Sequence, residues 1–261
     1  MGASTLELAR ENHKYRLKTA LRVLAVEFEP AGYVMVAACY RVLAACALLL
    51  DSDTAQYHLY LCNAAQARLD FLRRAEGAGA IRPNYLCCSK GLGFACAVAA
   101  EDWQTAKEIA TRSPKSHDPR AEYEDDFLFF HFMHNLVLDP SNAATASAII
   151  ARWEQVLEGG ASGHFDVCKC IQQADQKSFP LAFESLVESR QRRLDVYEQD
   201  ISADRELLAV ERGLFIDAVA VAKLARARGL RLQGGYVGAP ELPLETVGRA
   251  PPPAAAWRTP V

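Results

Sequence analysis

The stretch Glu211-Arg-Gly-Leu-Phe-Ile-Asp-Ala-Val-Ala-Val-Ala-Lys-Leu-Ala-Arg-Ala-Arg-Gly229 decides the fold class. Its apolar residues run almost without interruption from Leu214 through Val221 to Ala225, too long for a strand and rich in the best helix former. Arg226 and Arg228 suit the negative end of a helix, and Gly229 suits its cap. The segment reads as the buried closing helix of a helical domain, with a kink expected at Gly213.

Working outward, apolar residues recur at helical spacing nearly everywhere, and strand-like alternation is absent over any useful length. An amphipathic helix is predicted over 6–26, with Leu17, Leu21 and Leu24 on one side and Lys14, Lys18 and Arg22 on the other. Pro30 and Gly32 break it, and a buried helix follows over 31–50. Asp51-Ser-Asp-Thr54 offers an N-cap for a third helix to position 74, striped by Tyr57, Leu61, Ala65, Leu69 and Leu72. Further helices are predicted over 85–100, from Trp103 behind an Asp102 cap, and over 122–138, 143–157, 164–175, 180–199 and 204–228. The pair around Asp102 reads as a tight helical hairpin of tetratricopeptide-like character, although no period near 34 residues recurs.

The expected architecture is therefore all-α, a multi-helix domain of stacked antiparallel helical hairpins with no significant sheet, over 1–245. Pro114 and Pro119 make 113–120 either a break between subdomains or a surface loop. Residues 246–261, with Pro251-Pro-Pro253 and three alanines, read as a disordered tail.

The 261 residues are 51% hydrophobic, enough for a large core. Lys and Arg number 29 against 32 Asp and Glu, a net charge of -3 with no basic stripe, which disfavours nucleic acid as a partner. The eight cysteines fall mostly inside apolar runs, and no basic segment leads into an apolar one at the start. A reducing cytoplasm with free core thiols is expected. The run 31–50 is long enough to span a bilayer, but Arg41 at its middle would cost roughly 2.5–3.5 kcal/mol there. Burial among helices is the better account, and no membrane partner is expected.

No motif for catalysis, cofactor or metal stands out. His131 and His134 share a helix face, but Phe127 and Phe130 stand where completing carboxylates would be needed, so both read as structural. Cys168-Lys-Cys170 and the adjacent Cys87 and Cys88 lack zinc-site spacing. Neither a nucleophile elbow nor a phosphate-binding glycine loop is present. The expectation is a protein that is not an enzyme and that carries no cofactor and no metal.

The most suggestive surface feature is acidic. Glu122, Tyr123, Glu124, Asp125 and Asp126 cluster at a predicted helix start, and Asp195, Glu198 and Asp200, with Asp204 and Glu206, surround the loop before the closing helix. Such patches can meet a basic protein surface, with the tyrosine adding contact area. Carboxylates in a first helical turn also offset the helix dipole without any partner. Both readings stand.

The closing segment, Leu214 to Leu230, followed by a short extended piece and Ala239-Pro-Glu-Leu-Pro-Leu244, resembles the end of the immunity protein 49 family of bacterial polymorphic toxin systems. The alternation of helices from position 122 onward is consistent with it. The resemblance implies a non-enzymatic cytoplasmic inhibitor that binds the toxic C-terminal domain of a cognate secreted effector. It assigns no individual contact residues; the eight acidic-cluster positions, Glu122 to Asp126, Asp195, Glu198 and Asp200, are candidates on charge alone. A nuclease toxin, with a basic substrate groove, would suit them. The competing reading is a tetratricopeptide-like scaffold that binds a peptide or protein partner.

Overall fold

A computed structural model describes residues 3–245 and 249–259. It is all-α, and among the described residues Tyr236 and Ala239 form an isolated antiparallel bridge rather than a strand. Three long helices begin the chain, α1 (Ala3–Val26), α2 (Pro30–Asp51) and α3 (Thr54–Ala75). Short connections fold them back on one another, and α2 packs against both neighbours. Local chemistry sets the boundaries. The Glu29 carboxylate accepts the Gly32 N–H at the start of α2, with Pro30 at the first helical position, and Asp53 caps α3 through the N–H groups of Ala55 and Gln56.

The helix expected over 85–100 is interrupted. A single turn, α4 (Pro83–Leu86), is separated from α5 (Leu92–Ala99) by residues 87–91. The cause lies far away in sequence: the Glu122 carboxylate accepts the N–H groups of Cys88 (3.2 Å) and Ser89 (2.6 Å), which a continuous helix would bond internally. Phe130 fills the space beside Gly91, where a Cβ would lie 2.0 Å from its ring.

Asp102 caps α6 (Trp103–Arg112) through the Thr105 N–H. Between α5 and α6 stands Glu101 with φ of 58°, a conformation that favours glycine. Its carboxylate faces the ammonium of Lys223, 3.3 Å away with a side chain only 1% exposed, and also pairs with Arg226. A buried cation needs that charge more than the turn needs a glycine.

The second half runs through α7 (Glu124–Leu138), α8 (Ala143–Leu157), α9 (Gly163–Gln173) and α10 (Phe179–Glu198), each packed on the next. At Gly163 that packing is tight. A Cβ there would meet the Leu186 Cα at 2.7 Å and its N at 2.9 Å, so α9 and α10 touch through backbone. Gly163→Ala is expected to destabilise the protein by about 1–3 kcal/mol, seen as a lower urea midpoint at unchanged slope. An unchanged midpoint would mean that the two helices do not meet here.

The closing segment is two helices, not one kinked helix. Between α11 (Arg205–Gly213) and α12 (Ile216–Ala227), Leu214 and Phe215 are extended, and the Phe215 N–H donates to the Gly238 carbonyl at 2.6 Å. Every residue of α12 from Ala218 to Ala225 is buried, mainly against α5 with α7 and α10 beside it. Gly229, φ 86°, ends the helix as expected, and the Leu230 N–H returns to the Ala225 carbonyl. A five-residue helix, α13 (Glu241–Glu245), lies against α12.

One core cluster holds residues from Ala9 to Trp257 and includes side chains on both sides of 113–120. Although α2 is long and apolar enough to cross a membrane, 72% of its most apolar window is buried. The expectation of a disordered tail is corrected for 249–259. Trp257, 1% exposed in the short 3-10 turn Ala256–Arg258, sits in the core beside Tyr33, and Tyr40 donates to its carbonyl at 2.6 Å. Gln66 donates to the Pro252 carbonyl, and Arg258 pairs with Asp70 at 2.7 Å. One indole and a few polar contacts outweigh the disordering composition around them. The tail's remaining positions, 246–248 and 260–261, lie outside the described residues.

Candidate functional site

A cleft of about 580 Å³ opens where the starts of three helices converge. Asp125 and Asp126 come from the first turn of α7, Ser162, Gly163 and His164 from the start of α9, and Phe215, Ile216 and Asp217 from the start of α12. Each helix start presents N–H groups and a partial positive charge. Arg41 of α2, Arg190 and Arg193 of α10 and Glu211 of α11 complete the charged lining. The site exists because α2 carries an arginine in its apolar middle and α12 an aspartate in its apolar first turn.

Glu211 bridges two of the arginines: it pairs with Arg41 through one oxygen and with Arg190 at 2.6 Å through the other. All three side chains are largely buried. Asp217 makes no such pair among the described residues. Burial, and then the charge of Glu211, push its carboxyl up to about 6, although Arg190, Arg41 and Arg193 pull the other way. His164, edge-on to Phe129 at 4.5 Å, is driven down to about 3 by burial and the neighbouring arginines, so it is neutral at physiological pH.

The eight acidic-cluster candidates separate into two groups. Glu122 clamps the 88–89 backbone, Glu124 forms a two-point pair with Arg152 at 2.7 and 3.0 Å, and Asp200 accepts the Ser202 N–H and hydroxyl within its own turn. Asp195 and Glu198 share Arg212 at 2.7 and 2.8 Å. Tyr123, 80% exposed, and the exposed Asp125 and Asp126 form no ion pair among the described residues. These three neighbours stand beside or on the cleft, whereas the second grouping is spent internally. Sequence reasoning missed Arg41, Arg190, Arg193, His164, Glu211 and Asp217. The available signals were charges placed inside apolar runs, at Arg41 and Asp217.

His134 is 1% exposed, lies edge-on to Phe94 at 4.3 Å and has the Cys88 sulfur 3.6 Å from Nδ1, while His131 stacks on Phe127 at 5.0 Å. All eight cysteines are free and buried. No three His, Cys, Asp or Glu side chains among the described residues are placed to hold a metal ion.

Burial depresses His13, His58, His131, His134 and His164 below their ordinary value of 6.5. The unfolded chain then binds more protons, so their contribution to stability is complete above about pH 6.5 and is lost as pH falls. Asp217 runs oppositely: its contribution is complete below the ordinary value of 3.8 and is lost as pH rises through about 6. The melting temperature is expected to fall between pH 7 and about 5, and Asp217→Asn, which removes the opposing term, should steepen that fall. A flat acid limb in both proteins would contradict the neutral, buried histidines.

Fold and cleft together define an all-α protein with a charged cleft at a junction of helix starts. Comparison with protein-family models, with curated proteins and with solved structures finds no match.

Proposed function

We propose that the chain is an immunity-type inhibitor that binds the toxic C-terminal domain of a cognate secreted effector in the cytoplasm of the producing cell, without catalysis of its own. The observation that supports this reading is the division of the acidic surface. Most of the candidate carboxylates are consumed by arginines or backbone of the same chain, and Asp125 and Asp126 remain exposed beside Tyr123. Unpaired carboxylates next to an exposed aromatic suit a basic protein surface, where charge speeds encounter and a ring supplies buried area. A nuclease is the toxin chemistry that best fits such charge, because its substrate groove is basic.

The test is co-expression with the toxic C-terminal domain of any secreted effector whose gene adjoins that of the chain. Rescue of growth and a stable complex are expected. Reversing Asp125 and Asp126 to lysine should slow association at low salt by about tenfold or more while leaving the fold intact. Absence of rescue would overturn the reading; full-rate association of the reversed variant would remove the acidic rim from it.

A further inference from the structure

We propose that the cleft at the starts of α7, α9 and α12 binds a small zwitterion of the amino-acid class, with Arg193 and the α9 start holding its anionic group and Asp217 with the α7 aspartates holding its cationic group. This goes beyond the inhibitor reading and does not depend on it.

The argument begins with charge balance. Glu211 already neutralises one of the two arginines it bridges, and Arg193 adds a further positive charge. Asp125, Asp126 and Asp217 bring negative charge to the same wall, so the two signs nearly cancel across the cleft. A ligand of one sign would be attracted by half the lining and repelled by the other half. A ligand carrying both signs can satisfy both halves.

Arg193 and the cleft aspartates are near one another without being spent on each other. Arg193 acts electrostatically on Asp126, Asp217 and His164, yet it closes no ion pair among the described residues. At the α9 start the Ser162 hydroxyl takes the Phe165 N–H, at 3.4 Å, while Gly163 and His164 line the cleft. Carboxylates on the cleft wall stand in the first turns of α7 and α12, whereas the first-turn acid of α9, Asp166, is not part of the wall. The α9 start is therefore the one of the three with its positive end toward the cleft and no cleft-lining acid to offset it, which makes it the seat for an anionic group beside Arg193.

The rest of the lining is apolar and aromatic: Phe129, Phe130, Trp153 and Phe215, with Leu92 and Ile216. Trp153 is 1% exposed and its indole N–H finds no acceptor among the described residues. At about 580 Å³ the cleft falls within the size range of small-molecule sites. An amino acid with a large side chain would place its charges against the charged residues of the lining and that side chain against the aromatic ones.

Isothermal titration of the full chain tests this directly with L-phenylalanine, L-leucine and glycine, against phenethylamine and 3-phenylpropionate as the cation-only and anion-only analogues of phenylalanine and inorganic phosphate as a plain oxyanion. Binding of phenylalanine or leucine with a Kd of about 1 mM or tighter is expected. Affinity should fall by about tenfold or more for either single-charge analogue, and likewise in Arg193→Gln and Asp217→Asn. Arg193 is exposed, so its variant keeps the test valid should Asp217→Asn disturb folding. The proposal is overturned if no amino acid binds, if phenethylamine, 3-phenylpropionate or phosphate binds as tightly as phenylalanine, or if binding is indifferent to Arg193→Gln. None of these outcomes involves the toxic domain, so failure here leaves the growth-rescue experiment to be judged separately.

Discussion

Glu211→Ala is expected to cost about 3–5 kcal/mol of folding free energy, the range for removing one partner of a buried ion pair. The side chains of Arg41 and Glu211 are 10% and 15% exposed, and Arg190 closes on the second carboxylate oxygen. Alanine would leave two guanidinium groups facing each other with their shared counter-charge gone. Part of the loss should be recovered locally. Asp217, its carboxyl near 6 and so already largely ionised at neutral pH, is left as the neighbouring counter-charge and is relieved of the repulsion from Glu211. The double variant Glu211→Ala, Asp217→Asn should therefore lose more than the sum of the single effects. Urea denaturation followed by circular dichroism measures all three; a loss below about 1 kcal/mol for Glu211→Ala would place the network in the solvated, weakly coupled class.

Trp257→Ala should cost a similar amount, about 3–5 kcal/mol. The indole is 1% exposed, its ring lies 5.7 Å from Tyr33, and Arg258 sits over it at 4.3 Å while pairing with Asp70. The Tyr40 hydrogen bond goes to the residue's carbonyl, so alanine keeps that bond and isolates the cost of the ring. Limited proteolysis provides a second reading, with cleavage in 249–259 expected to accelerate in the variant. A stability equal to the parent's would mean that the tail does not dock.

The helices were legible because their signals are local. Asp53, Asp102 and Gly229 act within a turn of their own position, and α8 spans the residues that its periodicity predicts. What remained hidden depends on partners distant in sequence. The break at 87–91 is imposed by Glu122 and Phe130, and a disorder-prone composition at 249–259 is overruled by the cavity that accepts Trp257. The acidic candidates share this difficulty: Glu124 cannot be separated from Asp125 without knowing that Arg152 lies opposite. The cleft draws its lining from separate stretches scattered between Arg41 and Asp217, none with a motif spacing. Charges embedded in apolar helices were the trace it left, and Arg41 was read only as an argument against a membrane span.

The attachment of Trp257 and Glu211 to α2 also sets an order of events on the ribosome. Arg41 waits for a partner 170 residues downstream and Tyr40 for one 217 downstream. At the usual pace of synthesis that interval is roughly 10–40 s, during which the flank of α2 that these late segments cover faces solvent. Among the described elements, the flank of α2 is thus closed by the last one made, the turn that carries Trp257.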